Sequence, residues 1–201
     1  MWAWILENTA VLSVGLNAAM LVVWSIYLQV IYNSYRRANR AVIHIDMGGG
    51  GGEGARCMVT NMGADTVYIL GVKVELDCAQ GICEALVADR LEADAPLGGD
   101  FREKTSKGPL SGGQAVDIGS FTNIIERASN QMAEGVSADT CRSVEITVVV
   151  AAQQAHRLMG GHKRFDVVQN GDRVRFTSRD LLTRQITSWS SRRRLQREIV
   201  S

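Results

Sequence analysis

Thr66-Val-Tyr-Ile-Leu-Gly-Val-Lys-Val-Glu-Leu76 decides the fold reading. Leu70, Val72, Val74 and Leu76 alternate with Gly71, Lys73 and Glu75, and a period of two puts one set in a core and the other in water. Arg142 to Ala152 repeats the pattern, with Val144, Ile146, Val148 and Val150 on one face and Glu145 and Thr147 on the other. Two further strands, His162 to Gln169 and Arg173 to Thr177, are joined by Asn170-Gly171, a dipeptide suited to a tight hairpin with positive φ.

Working outward, Ala41 to Asp46 and Ala55 to Asn61 read as short strands separated by the run Gly48 to Gly52 and then Glu53-Gly54. A phosphate-binding loop needs a following Lys-Ser or Lys-Thr and a helix, so these glycines read as a flexible hairpin loop. Cys78 to Cys83 contains a Gln80-Gly81 turn, and Glu84 to Arg90 can return as a hairpin partner. Leu91 to Gly113 holds both prolines, Pro96 and Pro109, and reads as a long surface excursion. After a short strand at Gln114 to Ile118, Ser120 caps a helix from Phe121 to about Ala133, with Phe121, Ile124, Ile125 and Ala128 as its apolar stripe. Short alternating strands with one small helix predict a mainly β protein, an antiparallel β-sandwich of immunoglobulin-like general shape. The Cys…Trp…Cys signature of true immunoglobulin domains is absent.

The ends of the chain differ from this body. Ala10 to Ile31 carries no charge, and Ser13, Asn17, Ser25 and Gln29 are its few polar residues. That length matches a bilayer's hydrocarbon core, where a lone segment must be helical to satisfy its own backbone. Trp2 and Trp4 stand before the span, and Trp24, Tyr27, Tyr32 and Tyr35 at or toward its far end, as interfacial aromatic belts require. A cleaved signal peptide would begin with basic residues and end at a small-residue site; this segment begins with Glu7 and ends in Arg36, Arg37 and Arg40. Basic flanks stay on the cytoplasmic side, so the expectation is a plasma (inner) membrane protein of bacterial type with its N-terminus outside. Asn17 is a candidate helix-helix contact within the span.

The resulting domain plan is a short outer segment at 1–8, a transmembrane helix at 9–32, a basic juxtamembrane segment at 33–40, a β-sandwich at 41–177 and a basic tail at 178–201. Leu182, Ile186, Trp189, Leu195 and Ile199 fall at helical spacing in the tail, which predicts a basic amphipathic helix over Asp180 to Ile199, with a break allowed at Ser188 to Ser191. Trp189, Arg192, Arg193 and Arg194 are its candidate membrane or partner contacts. The formal charge of +1 therefore divides into an acidic body between basic ends, which argues against a nucleic-acid-binding domain and suits a protein beside anionic lipid.

Cys57, Cys78, Cys83 and Cys141 make an even set. Cys78 and Cys83 can close a short loop in an oxidising compartment or act as an exposed redox pair, although Asp77 and Glu84 beside them disfavour an activated thiolate. Cys57 and Cys141 read as small core hydrophobes. His44, His156 and His162 are scattered, and no paired metal-ligand spacing, P-loop, Gly-x-Ser-x-Gly or His-Glu-x-x-His motif occurs. No catalytic residue, cofactor or metal site is expected. The expected function is a non-catalytic accessory, scaffold or regulatory module that binds a protein partner or a second copy on the cytoplasmic side. The alternatives are an extracytoplasmic adhesion or assembly module stapled by Cys78 and Cys83, and a thiol-based redox sensor.

Overall fold

Thr9–Ala38 forms a single helix, α1, and its described side chains from Thr9 to Tyr35 are exposed. The apolar part, Thr9–Tyr35, is long and apolar enough to cross a membrane; its 27 residues rise about 40 Å. Two of its polar residues need no solvent, because Ser13 Oγ donates to the Ala10 carbonyl and Ser25 Oγ to the Leu21 carbonyl, each at 2.8 Å. The computed structural model describes residues 8–38, 41–52, 54–79, 81–87, 105, 107–131, 140–152, 157–170, 173–186 and 188–200. Trp2, Trp4, Glu7, Arg40, Pro96, His156 and Gly171 lie outside these residues, as do the side chains of Arg36, Arg37 and Trp189. The chain divides into two units, Met1–Arg40 and Ala41–Ser201; residues 178–201 thus belong with the β domain.

The second unit is mainly β. Its strands are β1 (Ile43–Gly48), β2 (Arg56–Asn61), β3 (Val67–Cys78), β4 (Gly81–Val87), β5 (Gly108–Leu110), β6 (Ala115–Ser120), β7 (Cys141–Ala152), β8 (Arg157–Asn170), β9 (Arg173–Ser178) and β10 (Arg184–Gln185). One sheet runs β1-β2-β6 and the other β10-β8-β7-β3-β4, with β5 on β3 and β9 on β8, and every pairing is antiparallel. Inward residues of both sheets, among them Ile43, Ile45 and Val59 from the first and Val72, Val74, Val144 and Ile146 from the second, share one core, the packing of a β-sandwich.

The alternation in β3 changes parity once. A bulge between Ile69 and Gly71 shifts the register against β7, so Val67 and Ile69 and then Val72, Val74 and Leu76 are buried while Leu70 is only half-buried. The extra residue consumes one step of the period, which corrects the assignment of Leu70 to the buried face.

Helix α2, Phe121–Asn130, follows β6. Ser120 Oγ accepts from the Asn123 N–H at 3.2 Å, the expected N-cap, and Phe121, Ile124, Ile125 and Ala128 enter the core. Phe121 stacks on Phe176 and meets Phe165 edge-on, at centroid distances of 4.9 and 4.7 Å.

The glycine run is a hairpin loop between β1 and β2, but it is docked rather than free. Gly49, Gly50 and Gly51 take φ of +85°, +78° and +78°, a conformation that L side chains resist. The buried Gly51 accepts the Phe176 N–H at 2.8 Å, which ties the loop of one sheet to β9 on the other.

Along its outer edge β8 pairs first with β10, at Gly161 and His162, and then with β9, from Phe165 onward. Arg179 to Thr183 is the bend between these two pairings. Side chains around it also close the neighbouring sheet. Gln185 Oε1 accepts from Ile43 N at 3.1 Å and its Nε2 donates to Ile43 O at 2.6 Å, so the side-chain amide substitutes for a strand peptide. Thr183 Oγ1 accepts from Ile45 N at 2.7 Å and lies 3.3 Å from Ile45 O. The open edge of β1 is thereby satisfied without another strand.

These contacts correct the helix expected from Asp180. Pairing of Arg184 and Gln185 with β8, plus the bonds to β1, outweighs the helical spacing of Leu182, Ile186 and Trp189. The last helix, α3, is Trp189–Val200, capped by Ser188 Oγ accepting from Ser191 N at 3.2 Å. It packs back against β8 with Leu195 buried.

Candidate functional site

The wet positions of β3 and β7 are Lys73, Glu75, Glu145 and Thr147, and antiparallel pairing fixes what stands beside each. Glu84 of β4 faces Glu75, Glu75 faces Glu145, and Glu145 faces Arg164 of β8. Carboxylates thus stand abreast on adjacent strands, an arrangement that costs stability unless cations intervene. Lys73 Nζ reaches Glu84 at 2.8 Å, and Arg164 reaches Glu145 at 3.2 Å and Glu75 at 3.9 Å. His162 Nδ1 donates to Glu145 Oε1 at 2.7 Å. Glu75 nevertheless remains above the usual carboxylate range, first because it is partly desolvated and then because Glu145 and Glu84 repel its charge.

At its β8 edge this face runs into the bend. A cavity of about 420 Å³ is lined by Glu145, His162, Lys163, Arg164, Arg179, Asp180 and Arg184, a basic surplus beside the carboxylate row. Lys163 points the other way along the strand, into the sandwich, and is only 3% exposed. Its ammonium sits 3.5 Å from Asp46, 3.4 Å from the Leu181 carbonyl and 5.6 Å from the Phe165 ring centroid. The charge is therefore paired and supports the bend from beneath. Above it Leu181 and Leu182 are 89% and 71% exposed.

The cysteines pair differently from the sequence expectation. Cys78 is bridged to Cys141, its direct partner across β3 and β7, with Cα atoms 4.0 Å apart. The tight β3–β4 hairpin sets Cys78 opposite Gly81 and Cys83 opposite Leu76, which leaves Cys83 free and half-buried. Cys57 is the other free thiol; burial, and next the nearby Asp117, pushes its pKa up to about 12, so it is inert in the folded chain. Asn17 is exposed at mid-helix. Of the tail residues, Arg193 and Arg194 are exposed, and Arg192 is half-buried with a buried Nε. Thr183, Gln185 and Lys163 were not legible as functional positions; their roles depend on strands distant in sequence. The exposed Leu181-Leu182 pair was visible only as part of a helical stripe. No group of three or more His, Cys, Asp or Glu side chains among the described residues is arranged to hold a metal.

In comparisons with known protein families, curated proteins and solved structures, the chain matches none.

Proposed function

We propose that this is a non-catalytic, single-span membrane protein whose β-sandwich, on the cytoplasmic side, binds a protein partner as an accessory or regulatory subunit. The observation that carries the reading is the row Glu84, Glu75 and Glu145 across three adjacent strands. Lys73 and Arg164 neutralise it only in part, and a basic side chain from a partner would relieve the remaining repulsion. Arg36, Arg37 and Arg40, which follow the apolar run, argue for the cytoplasmic side. A photocrosslinking residue at Thr147, in cells expressing the full chain, should give a discrete adduct that Glu75→Lys and Glu145→Lys abolish. No adduct from Thr147 or from Glu84, with the chain folded in the membrane, would remove the reading.

The Cys78–Cys141 bridge favours a second reading, an assembly module outside the cytoplasm. Cys83 reports the side. A membrane-impermeant maleimide that modifies Cys83 only after lysis supports the cytoplasmic reading, whereas modification in intact cells supports the second.

A further inference from the structure

We infer that the bend from Arg179 to Thr183 is a second bilayer contact, in which Leu181 and Leu182 enter an anionic lipid surface while Arg179 and Arg184 meet its headgroup phosphates. This rests on the N-terminal span and not on the partner-binding reading. Adjacent leucines at 89% and 71% exposure are held out of the core by the contacts around them. Lys163 Nζ donates to the Leu181 carbonyl at 3.4 Å, Ser178 Oγ to the Asp180 carbonyl at 2.6 Å, and Thr183 is fixed to Ile45 at 2.7 Å. An apolar tip braced in this way, with the Asp180 and Leu181 carbonyls bonded from below, has the form of an interfacial wedge.

The charges around the tip select the occupant. Arg179 and Arg184 flank it, with His162 and Arg164 in the same cavity. Its acids are already engaged: Asp180 with Arg184 at 3.4 Å, Glu145 with Arg164 and His162, and Asp46 with Lys163. The first arginine of α3, Arg192, follows Leu182 by ten residues. Leu181 and Leu182 also share a cavity with His44 and Asp46 of β1. A basic rim around an apolar tip complements anionic headgroups over acyl chain.

The test uses the full chain in phospholipid vesicles. In a Cys83→Ser background, nitroxide labels are placed at Leu181→Cys, at Leu182→Cys and, as a control on the far strand of the same sheet, at Ile82→Cys. Their accessibility to oxygen and to an aqueous nickel reagent reports depth. In vesicles containing anionic lipid the leucine labels should lie below the phosphates and the Ile82 label in water. Arg179→Glu with Arg184→Glu should lower the inserted fraction relative to the aqueous one at least about thirtyfold, with thermal unfolding unchanged. Leucine labels in water would overturn the inference and leave the partner-binding reading untouched. Equal depth in neutral and anionic vesicles would overturn the role of the arginines.

Discussion

Gln185 does with one side chain what a neighbouring strand does with a peptide group. Ile43 is buried, so Gln185→Leu strands its N–H and C=O, each at about 1–3 kcal/mol. We expect a loss of roughly 2–4 kcal/mol, and Thr183→Val roughly 1–3 kcal/mol by the same argument at Ile45. At about 2–4 °C per kcal/mol for a domain of this size, thermal unfolding resolves both; an unchanged Tm would mean that water replaces the cap at no cost. Glu75 works in the opposite direction. Its pKa in the fold is raised from an ordinary 4.5, so its favourable contribution is fully present below pH 4.5 and is lost as pH rises through the folded value. Glu75→Gln should therefore raise Tm slightly at pH 7, with the gain shrinking toward zero below pH 4.5. A lower Tm at pH 7 would show that the Arg164 contact outweighs the repulsion.

At the scale of elements, the β1–β2 loop separates two reasons for glycine. Gly50 needs only its positive φ, since a Cβ there would meet nothing within 4 Å, whereas at Gly51 it would lie 2.9 Å from the Phe176 carbonyl. Gly54 has neither demand. Alanine should be tolerated at 54, cost about 1 kcal/mol at 50 and clearly more at 51, measured by denaturant unfolding. Equal effects at 50 and 51 would mean that the docking of the loop on β9 adds nothing. The hairpin was legible from the glycines, but its docking was not, because Phe176 is more than 120 residues away in sequence. Likewise α2 was legible from Ser120 and its stripe, since capping and helical periodicity are local. Between residues 180 and 186 local periodicity misled, because the backbone hydrogen bonds there go to β8 and side-chain bonds go to β1.

For the whole molecule, the Cys78–Cys141 bridge spans 63 residues of sequence. A closed loop of that length limits the unfolded chain enough to stabilise the fold by up to about 4 kcal/mol. Cys141→Ser, or reduction before unfolding, should lower stability toward that figure while leaving the native fold cooperative. Under native conditions a maleimide should reach Cys83 first and Cys57 only on unfolding; native modification of Cys57 would contradict the closed core.

The sequence by itself determined the elements whose physics is local. The uncharged run from Ala10 to Ile31 makes a helix long enough to span a bilayer, the period-two stretches make antiparallel strands of a mainly β domain, and Ser120 starts a helix. Tertiary structure decided everything that depends on which strand lies beside which. It aligned Glu84, Glu75 and Glu145, chose Cys141 over Cys83 as the partner of Cys78, and turned Thr183 and Gln185 into an edge for β1. It also kept Leu181 and Leu182 in the open. Those outcomes follow from register between distant segments, and a one-residue change such as the bulge in β3 is enough to move side chains from one face to the other.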